Sequence, residues 1–147
     1  MIFSYDNTPI YYTDEASGPA IVLLHGFLES STMWKAITPY FTTTHRVITL
    51  DFPGHGHSEC ISEMHTMELL SGIVSALLEH LGIEEAILVG HSMGGYVALA
   101  LAEVHPEQIS TLVLLNSSPL SDSEERKQNR ERALRLIPNA KDAFVSM

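Results

Sequence analysis

Four short apolar runs, separated by segments with helical patterning, constrain the fold of this chain more than any other feature. The runs contain almost no polar residues, which is typical of strands buried on both sides. Parallel strands need long crossover connections, and helical segments of suitable length lie between the runs. We therefore predict an α/β fold with a mostly parallel sheet, helices on both faces, and buried strands at residues 20–24, 47–50, 86–89 and 112–115.

The remaining elements follow from local pattern. Two shorter β-type segments at residues 2–5 and 10–13 precede the first buried run. In one helical segment, apolar residues recur every three or four positions, and Gly82 follows it as a C-terminal stop. Another helical segment ends where His105 meets Pro106. The predicted helices are residues 32–41, 67–81 and 94–104.

Composition narrows the classes of partner. The chain has 147 residues, 45% of them hydrophobic, which is enough for one buried core. Its 18 acidic residues against 8 basic ones give a net charge of −10, which argues against a nucleic acid or an anionic membrane as partner. Cys60 is the single cysteine and the N-terminus MIFSYDNTPI has no leader pattern, so we expect a cytoplasmic protein.

The stretch AILVGHSMGGYVALALAEV places Ser92 between a predicted strand and a predicted helix. Such a sharp turn strains the serine backbone, and Gly90 and Gly94 leave room for the strand and the helix to approach each other. The hydroxyl then stands at the carboxyl end of the sheet, beside the free amides of a helix N-terminus. The pattern predicts a nucleophilic serine.

A second turn, in AIVLLHGFLESSTMW, supplies the other part that acyl chemistry needs. Two backbone N–H groups must face the developing oxyanion, and the candidates are the amides of Phe27 and Met93. Gly26 belongs to the turn that carries Phe27. We expect His25 to be a buried, hydrogen-bonded residue that shapes this loop, and Trp34 to lie in the core.

Four motifs resemble the α/β-hydrolase family in order and spacing, over essentially the whole chain: HGF at 25–27, LDFPGHGHS at 50–58, GHSMGG at 90–95 and VLLNSSP at 113–119. The resemblance implies that Ser92 is the nucleophile and that the amides of Phe27 and Met93 form the oxyanion hole. It implies an α/β-hydrolase core at residues 1–120 and the beginning of a helical cap at residues 121–147. No cofactor is implied, because the glycine patterns fit neither a phosphate loop nor a dinucleotide fingerprint.

The cap segment SDSEERKQNRERALRLI mixes both signs of charge. We expect a solvated helix whose apolar positions Ala133, Leu134 and Ile137 face the site. An arginine that reaches inward to a substrate carboxylate is the less favoured alternative.

A metal site is a possible interpretation of one histidine-rich segment. Asp51, His55, His57 and Cys60 lie close together in sequence, but the glycines among them fit a tight turn. We therefore expect no metal there and an inert thiol at Cys60.

The acid and histidine that follow the serine in this fold are not evident. His105 stands at the far end of the helix that begins after Ser92, on the order of 20 Å away. Asn116 and Ser117, where an acid could stand, carry no carboxylate. We therefore expect the N-terminal part of a longer hydrolase lacking the last strands, with possible self-association through the open sheet edge from Leu112 to Leu115.

Three functions remain open for a small-molecule substrate. The first is a serine hydrolase that attacks an ester or related acyl carbonyl through an acyl-enzyme on Ser92. The second is a lyase or acyl-transfer enzyme similar to the menaquinone-pathway synthase that eliminates pyruvate, which the PGHG segment and the cap resemble. The third is a non-catalytic binding fragment, which the missing histidine favours.

Overall fold

The computed structural model describes the backbone of residues 1–145 and the side chains of residues 1–135. Three strands come first along the chain, and three further strands then alternate with helices. The strands are β1 (Ile2–Tyr5), β2 (Thr8–Glu15), β3 (Ala20–Leu24), β4 (Arg46–Leu50), β5 (Ala86–His91) and β6 (Ile109–Leu115). The helices are α1 (Thr38–Phe41), α2 (Met67–His80), α3 (Met93–Val104) and α4 (Glu124–Val145), with 3₁₀ turns at Ser31–Trp34 and Pro106–Gln108.

The six strands form one sheet in the order β1-β2-β4-β3-β5-β6. The strands β4, β3, β5 and β6 pair in parallel with their neighbours, whereas β1 and β2 are antiparallel. The predicted mostly parallel α/β sheet is thus confirmed. All four parallel strands end at the same edge of the sheet, which gathers the loops after β3, β4, β5 and β6 at one place.

Each face of the sheet is packed by different elements. On one face, α2 and α3 bury side chains such as Leu77 and Val97 against Val22 and Leu88. On the other, Trp34 packs with the inward side chains of β3 and β4 and is only 1% exposed. The core position predicted for Trp34 is therefore confirmed, and the central strand β3 is fully buried along its length.

The helix predicted at residues 32–41 is not continuous. A 3₁₀ turn capped by the Ser30 hydroxyl is followed by the four-residue helix α1, which begins at Thr38 with a proline in its first turn. The reason is Pro39, which lacks the N–H that a longer helix needs and whose ring would collide with the preceding turn. The spacing of apolar residues alone does not reveal this interruption of the helix.

The strand β6 is an edge of the sheet within the described residues. Its inner side chains pack against α3, while Val113 and Leu115 are each 41% exposed on the opposite face. A sheet edge with exposed apolar side chains promotes pairing with another strand. The self-association expected between Leu112 and Leu115 stays a prediction.

Helix α4 follows the sheet and is highly charged. Two pairs stabilise its exposed surface, Lys127 with Glu124 at 2.8 Å and Arg135 with Glu131 at 3.7 Å. In the described part of the chain, no helix combines the length and the apolar character needed to cross a bilayer. The division into a core at residues 1–120 and a cap at 121–147 stays a prediction, and its last two residues lie outside the described ones.

Candidate active site

Ser92 forms a one-residue elbow between β5 and α3. Its backbone has φ 50° and ψ −112°, a conformation that L-residues rarely adopt. The end of β6 and the loop after it hold Ser92 in place: its N–H donates to the Leu115 carbonyl at 3.0 Å, and its carbonyl accepts from the Ser117 hydroxyl at 2.9 Å. These hydrogen bonds therefore keep the backbone in its strained conformation. The Ser92 hydroxyl lies at the carboxyl end of the parallel strands.

Close backbone packing explains the glycines around the elbow. A Cβ on Gly94 would lie 2.7 Å from the His25 carbonyl oxygen, and one on Gly90 would lie 2.5 Å from the Gly95 Cα. Both distances are too short for real contacts, so only glycine lets α3 start this close to β3. Position 95 also requires glycine, because a Cβ there would overlap Ser117. No role for Gly95 was predicted from the sequence.

The loop after β3 lies directly against this elbow. A Cβ on Gly26 would be 3.2 Å from the Ser92 Cβ, so Gly26 and Ser92 are in close contact. The next residue, Phe27, is 54% exposed, and its amide donates no hydrogen bond within the described residues. Met93 is the first residue of α3, where an amide has no acceptor inside the helix. Met93 thus directly follows Ser92, and Phe27 directly follows Gly26, which contacts Ser92.

His25 connects two loops from a fully buried position. Its Nε2 accepts from the Phe52 amide at 2.9 Å, so its Nδ1 carries the proton and donates to the Gly26 carbonyl at 2.7 Å. Burial lowers the pKa of His25, because the charged imidazolium would lose its hydration. His25 is thus buried, neutral and hydrogen-bonded, and it links the loop after β3 to the loop after β4.

This burial makes stability depend on pH. Since the folded pKa of His25 lies below 6.5, the unfolded chain binds more protons as the pH falls below that value, and unfolding becomes easier. We expect the free energy of unfolding, from urea titrations, to drop between pH 7.5 and 5 by about 1.4 kcal/mol for each pH unit separating the two pKa values.

The control for this effect is a second histidine variant. His25→Gln should flatten the pH dependence, whereas the same change at the exposed His105 should keep it. Burial also lowers the pKa of His65, so a residual slope in His25→Gln is expected. An unchanged slope in His25→Gln would contradict the role given to His25.

The loop after β4 is held by a buried carboxylate. Asp51 accepts from the amides of Ser31 at 2.6 Å and His57 at 2.8 Å. Burial alone would raise the pKa of Asp51, but these hydrogen bonds outweigh it and hold the pKa below 3.8. Gly56 leaves room for the carboxylate, which a Cβ there would overlap. The segment is thus a turn held by hydrogen bonds to Asp51. Among the described residues, no three metal-ligating side chains lie close enough together to bind a metal ion.

A cavity of about 570 Å³ opens beside the serine. Ala133 and Leu134 line it from α4, as predicted for the apolar positions of the cap, while the side chain of Ile137 lies outside the described residues. Arg130 also reaches the cavity, but its guanidinium is paired with Asp122. The full lining is Phe27, Met67, Ser92, Met93, Tyr96, Asn129, Arg130, Ala133 and Leu134.

A strained serine at the carboxyl end of a parallel sheet, between a strand and a helix, points to one fold family. The model of the alpha/beta hydrolase fold matches residues 19–146. The chain belongs to the α/β-hydrolase family. Similar solved structures include a thermophilic esterase from Thermogutta terrifontis, with a TM-score of 0.86, 34% identity, and coverage of 94% of this chain and 51% of that one.

Curated relatives of this α/β-hydrolase are similar over the same region. "Uncharacterized hydrolase YugF" of Bacillus subtilis (strain 168) is 37% identical over 119 residues, covering 79% of this chain and 44% of the relative. A pimeloyl-[acyl-carrier protein] methyl ester esterase of Vibrio vulnificus (strain YJ016) is 35% identical over 120 residues, covering 82% and 45%. The relatives are esterases and hydrolases, and the chain spans about half of their length.

The described residues that line the cavity offer neither a carboxylate nor a histidine as a general base for the serine. No histidine lines the cavity among the described residues, and His105 at the end of α3 pairs with Glu107. Asn116 and Ser117 follow β6, where they contact the elbow instead of supplying a carboxylate. The described residues therefore assign no base to Ser92.

Sequence reasoning missed three residues that the fold brings to the elbow. Glu29 and His91 form a pair at 2.8 Å beside Gly26, and Ser117 hydrogen-bonds to the Ser92 carbonyl. The position of His91, an ionisable residue directly before Ser92, is the one signal in the sequence that could have identified it. Glu29 is 62 positions away from it, and no local pattern connects the two.

Proposed function

We propose that this chain carries the nucleophile and the oxyanion hole of a serine hydrolase that cleaves an ester or related acyl carbonyl. The observation that carries the proposal is the strained Ser92, which lines an apolar cavity beside the amides of Phe27 and Met93. A half-buried nucleophile close to free amide donors suits a reaction in which negative charge develops on a carbonyl oxygen.

The mechanism assigns each group a step. The Ser92 Oγ attacks the acyl carbon while its proton passes to a base, and the amides of Phe27 and Met93 donate to the resulting oxyanion. The carbon–oxygen bond to the leaving alcohol then breaks, and the alcohol takes up the proton. Water, deprotonated by the same base, attacks the acyl-enzyme and releases the acid and Ser92. The base belongs to a part of the protein outside the described residues.

The cavity favours an uncharged acyl group. Its lining is mostly apolar, and the guanidinium of Arg130 is already neutralised by Asp122. An anionic dicarboxylate would need an inward cation free to bind it, so this pairing supports an ester substrate over the pyruvate-eliminating alternative. Two of the similar proteins reported above are named as esterases, which agrees with this choice.

A comparison of two p-nitrophenyl esters, one with an uncharged and one with an anionic acyl group, tests this proposal. We expect added imidazole, acting as an external base, to raise p-nitrophenol release from p-nitrophenyl butyrate more than from the mono-p-nitrophenyl ester of succinic acid. The difference should vanish in Ser92→Ala, whose rate gives the background that imidazole alone produces. A preference for the anionic ester would contradict the assignment of an uncharged acyl group.

The binding-fragment alternative has one observation in its favour. No histidine lines the cavity in the described part of the chain, so the pocket can hold a ligand without turning it over. Binding of butyrate esters with no Ser92-dependent release, even with imidazole present, would favour that function over the hydrolase.

A further inference from the structure

One side chain joins the oxyanion loop to the nucleophile elbow. The same oxygen of Glu29, Oε2, accepts from the Gly26 amide at 2.6 Å and lies 2.8 Å from the Nδ1 of His91. Gly26 precedes the Phe27 amide and His91 precedes Ser92, so the two contacts reach the immediate neighbours of both reacting groups.

The Gly26 peptide is fixed on both sides. Its N–H is held by the Glu29 carboxylate, and its carbonyl accepts from the His25 ring at 2.7 Å and from the Glu29 amide at 3.3 Å. A peptide with both polar groups bound cannot rotate freely, and its orientation determines where the following Phe27 amide points.

His91 completes this arrangement from the elbow side. A carboxylate can only accept, so the His91 Nδ1 donates to Glu29, and its Nε2 lies 3.5 Å from the amide nitrogen of Asn116 after β6. The His91 side chain is only 18% exposed, so water competes little for the contact. The His91 donor also partly offsets a negative charge that would otherwise oppose the oxyanion.

We propose that Glu29 is a positioning residue that clamps the oxyanion loop to the nucleophile elbow through Gly26 and His91. This inference rests on the proposed serine hydrolase, whose oxyanion hole it orients. What the clamp needs from residue 29 is a correctly placed acceptor oxygen, and a glutamine can supply one without the charge. The effect of substitution should therefore depend on whether the acceptor is kept.

Two variants and two readouts test the clamp. We expect Glu29→Ala to slow the phosphonylation of Ser92 by a fluorophosphonate, measured with imidazole as an external base, about 10- to 100-fold, since small misplacements of catalytic groups have effects of this size. Glu29→Gln should stay close to the unsubstituted chain. Hydrogen exchange of the Gly26 amide, followed by NMR, should accelerate about tenfold or more in Glu29→Ala only. Glu63→Ala, at an exposed glutamate far along the chain, is the control and should change neither.

The two readouts separate the clamp from the proposed function. If the unsubstituted chain does not react with the probe, the hydrolase proposal loses support, but accelerated Gly26 exchange in Glu29→Ala still supports the clamp. Unchanged exchange in Glu29→Ala would overturn the clamp, whether or not the chain reacts. A Glu29→Gln variant as impaired as Glu29→Ala would also overturn it, because charge and not acceptor placement would then be decisive.

Discussion

Replacing Ser92 with alanine should abolish the single covalent adduct that a fluorophosphonate forms with this chain when imidazole is added as an external base. The probe reacts only with an activated hydroxyl; imidazole supplies the base, and Ser92 combines a strained, half-buried position with the nearby amides of Phe27 and Met93. Intact-mass spectrometry after exposure to the probe measures the adduct directly. Turnover of any ester should fall in parallel by at least about a thousandfold.

The Ser92→Ala variant should still fold. Alanine pays no greater steric penalty than serine at φ 50°, and no hydrogen bond of the Ser92 hydroxyl is found within the described residues. Ser110→Ala, at an exposed position near the start of β6, is the matched control and should keep the adduct. An adduct that persists in Ser92→Ala would refute Ser92 as the nucleophile. A folded chain that forms no adduct at all would favour the binding-fragment function.

The substitution Gly94→Ala should lower the free energy of unfolding by about 2–4 kcal/mol, the size expected when a core contact is overpacked against rigid backbone. The new Cβ would lie 2.7 Å from the His25 carbonyl oxygen and even nearer to that of Leu24. These atoms belong to the end of β3 and to the oxyanion loop, so α3 would have to move away from the sheet. Urea unfolding at constant m-value measures the loss.

A second glycine makes this prediction specific. Gly72 lies inside α2, where a Cβ would approach only the terminal hydroxyl of Tyr5, at 3.2 Å. Alanine is the better helix former by about 1 kcal/mol, so Gly72→Ala should be neutral or stabilising. If both variants unfolded at the same urea concentration, α3 would not pack against β3 as closely as described.

Most of the fold follows from the sequence because the buried strands carry their own evidence. The runs within β3, β4, β5 and β6 are apolar on both sides, which predicts a sheet covered on two faces; the described residues bury β3 and most of β4 in this way, whereas one face of β6 is partly exposed. The strand β3 coincides with its predicted run, whereas β4, β5 and β6 proved longer than theirs; β2 likewise extends beyond its predicted segment, over Thr8–Glu15, because partners on both sides continue its pairing. Such extensions depend on neighbours that local pattern does not contain.

The sequence by itself determined the elbow: glycines on either side of Ser92, at the junction of an apolar strand and a helix, fit only one local geometry. It also placed the candidate amides of Phe27 and Met93, since both follow from the ends of strands. Only the tertiary structure decided that Glu29 and His91 meet, that Ser117 holds the Ser92 carbonyl, and that Arg130 is neutralised. The physical reason is range: backbone strain and periodicity act within a few residues, whereas these hydrogen bonds and the Glu29–His91 pair form only after the parallel strands bring separate loops to one edge of the sheet.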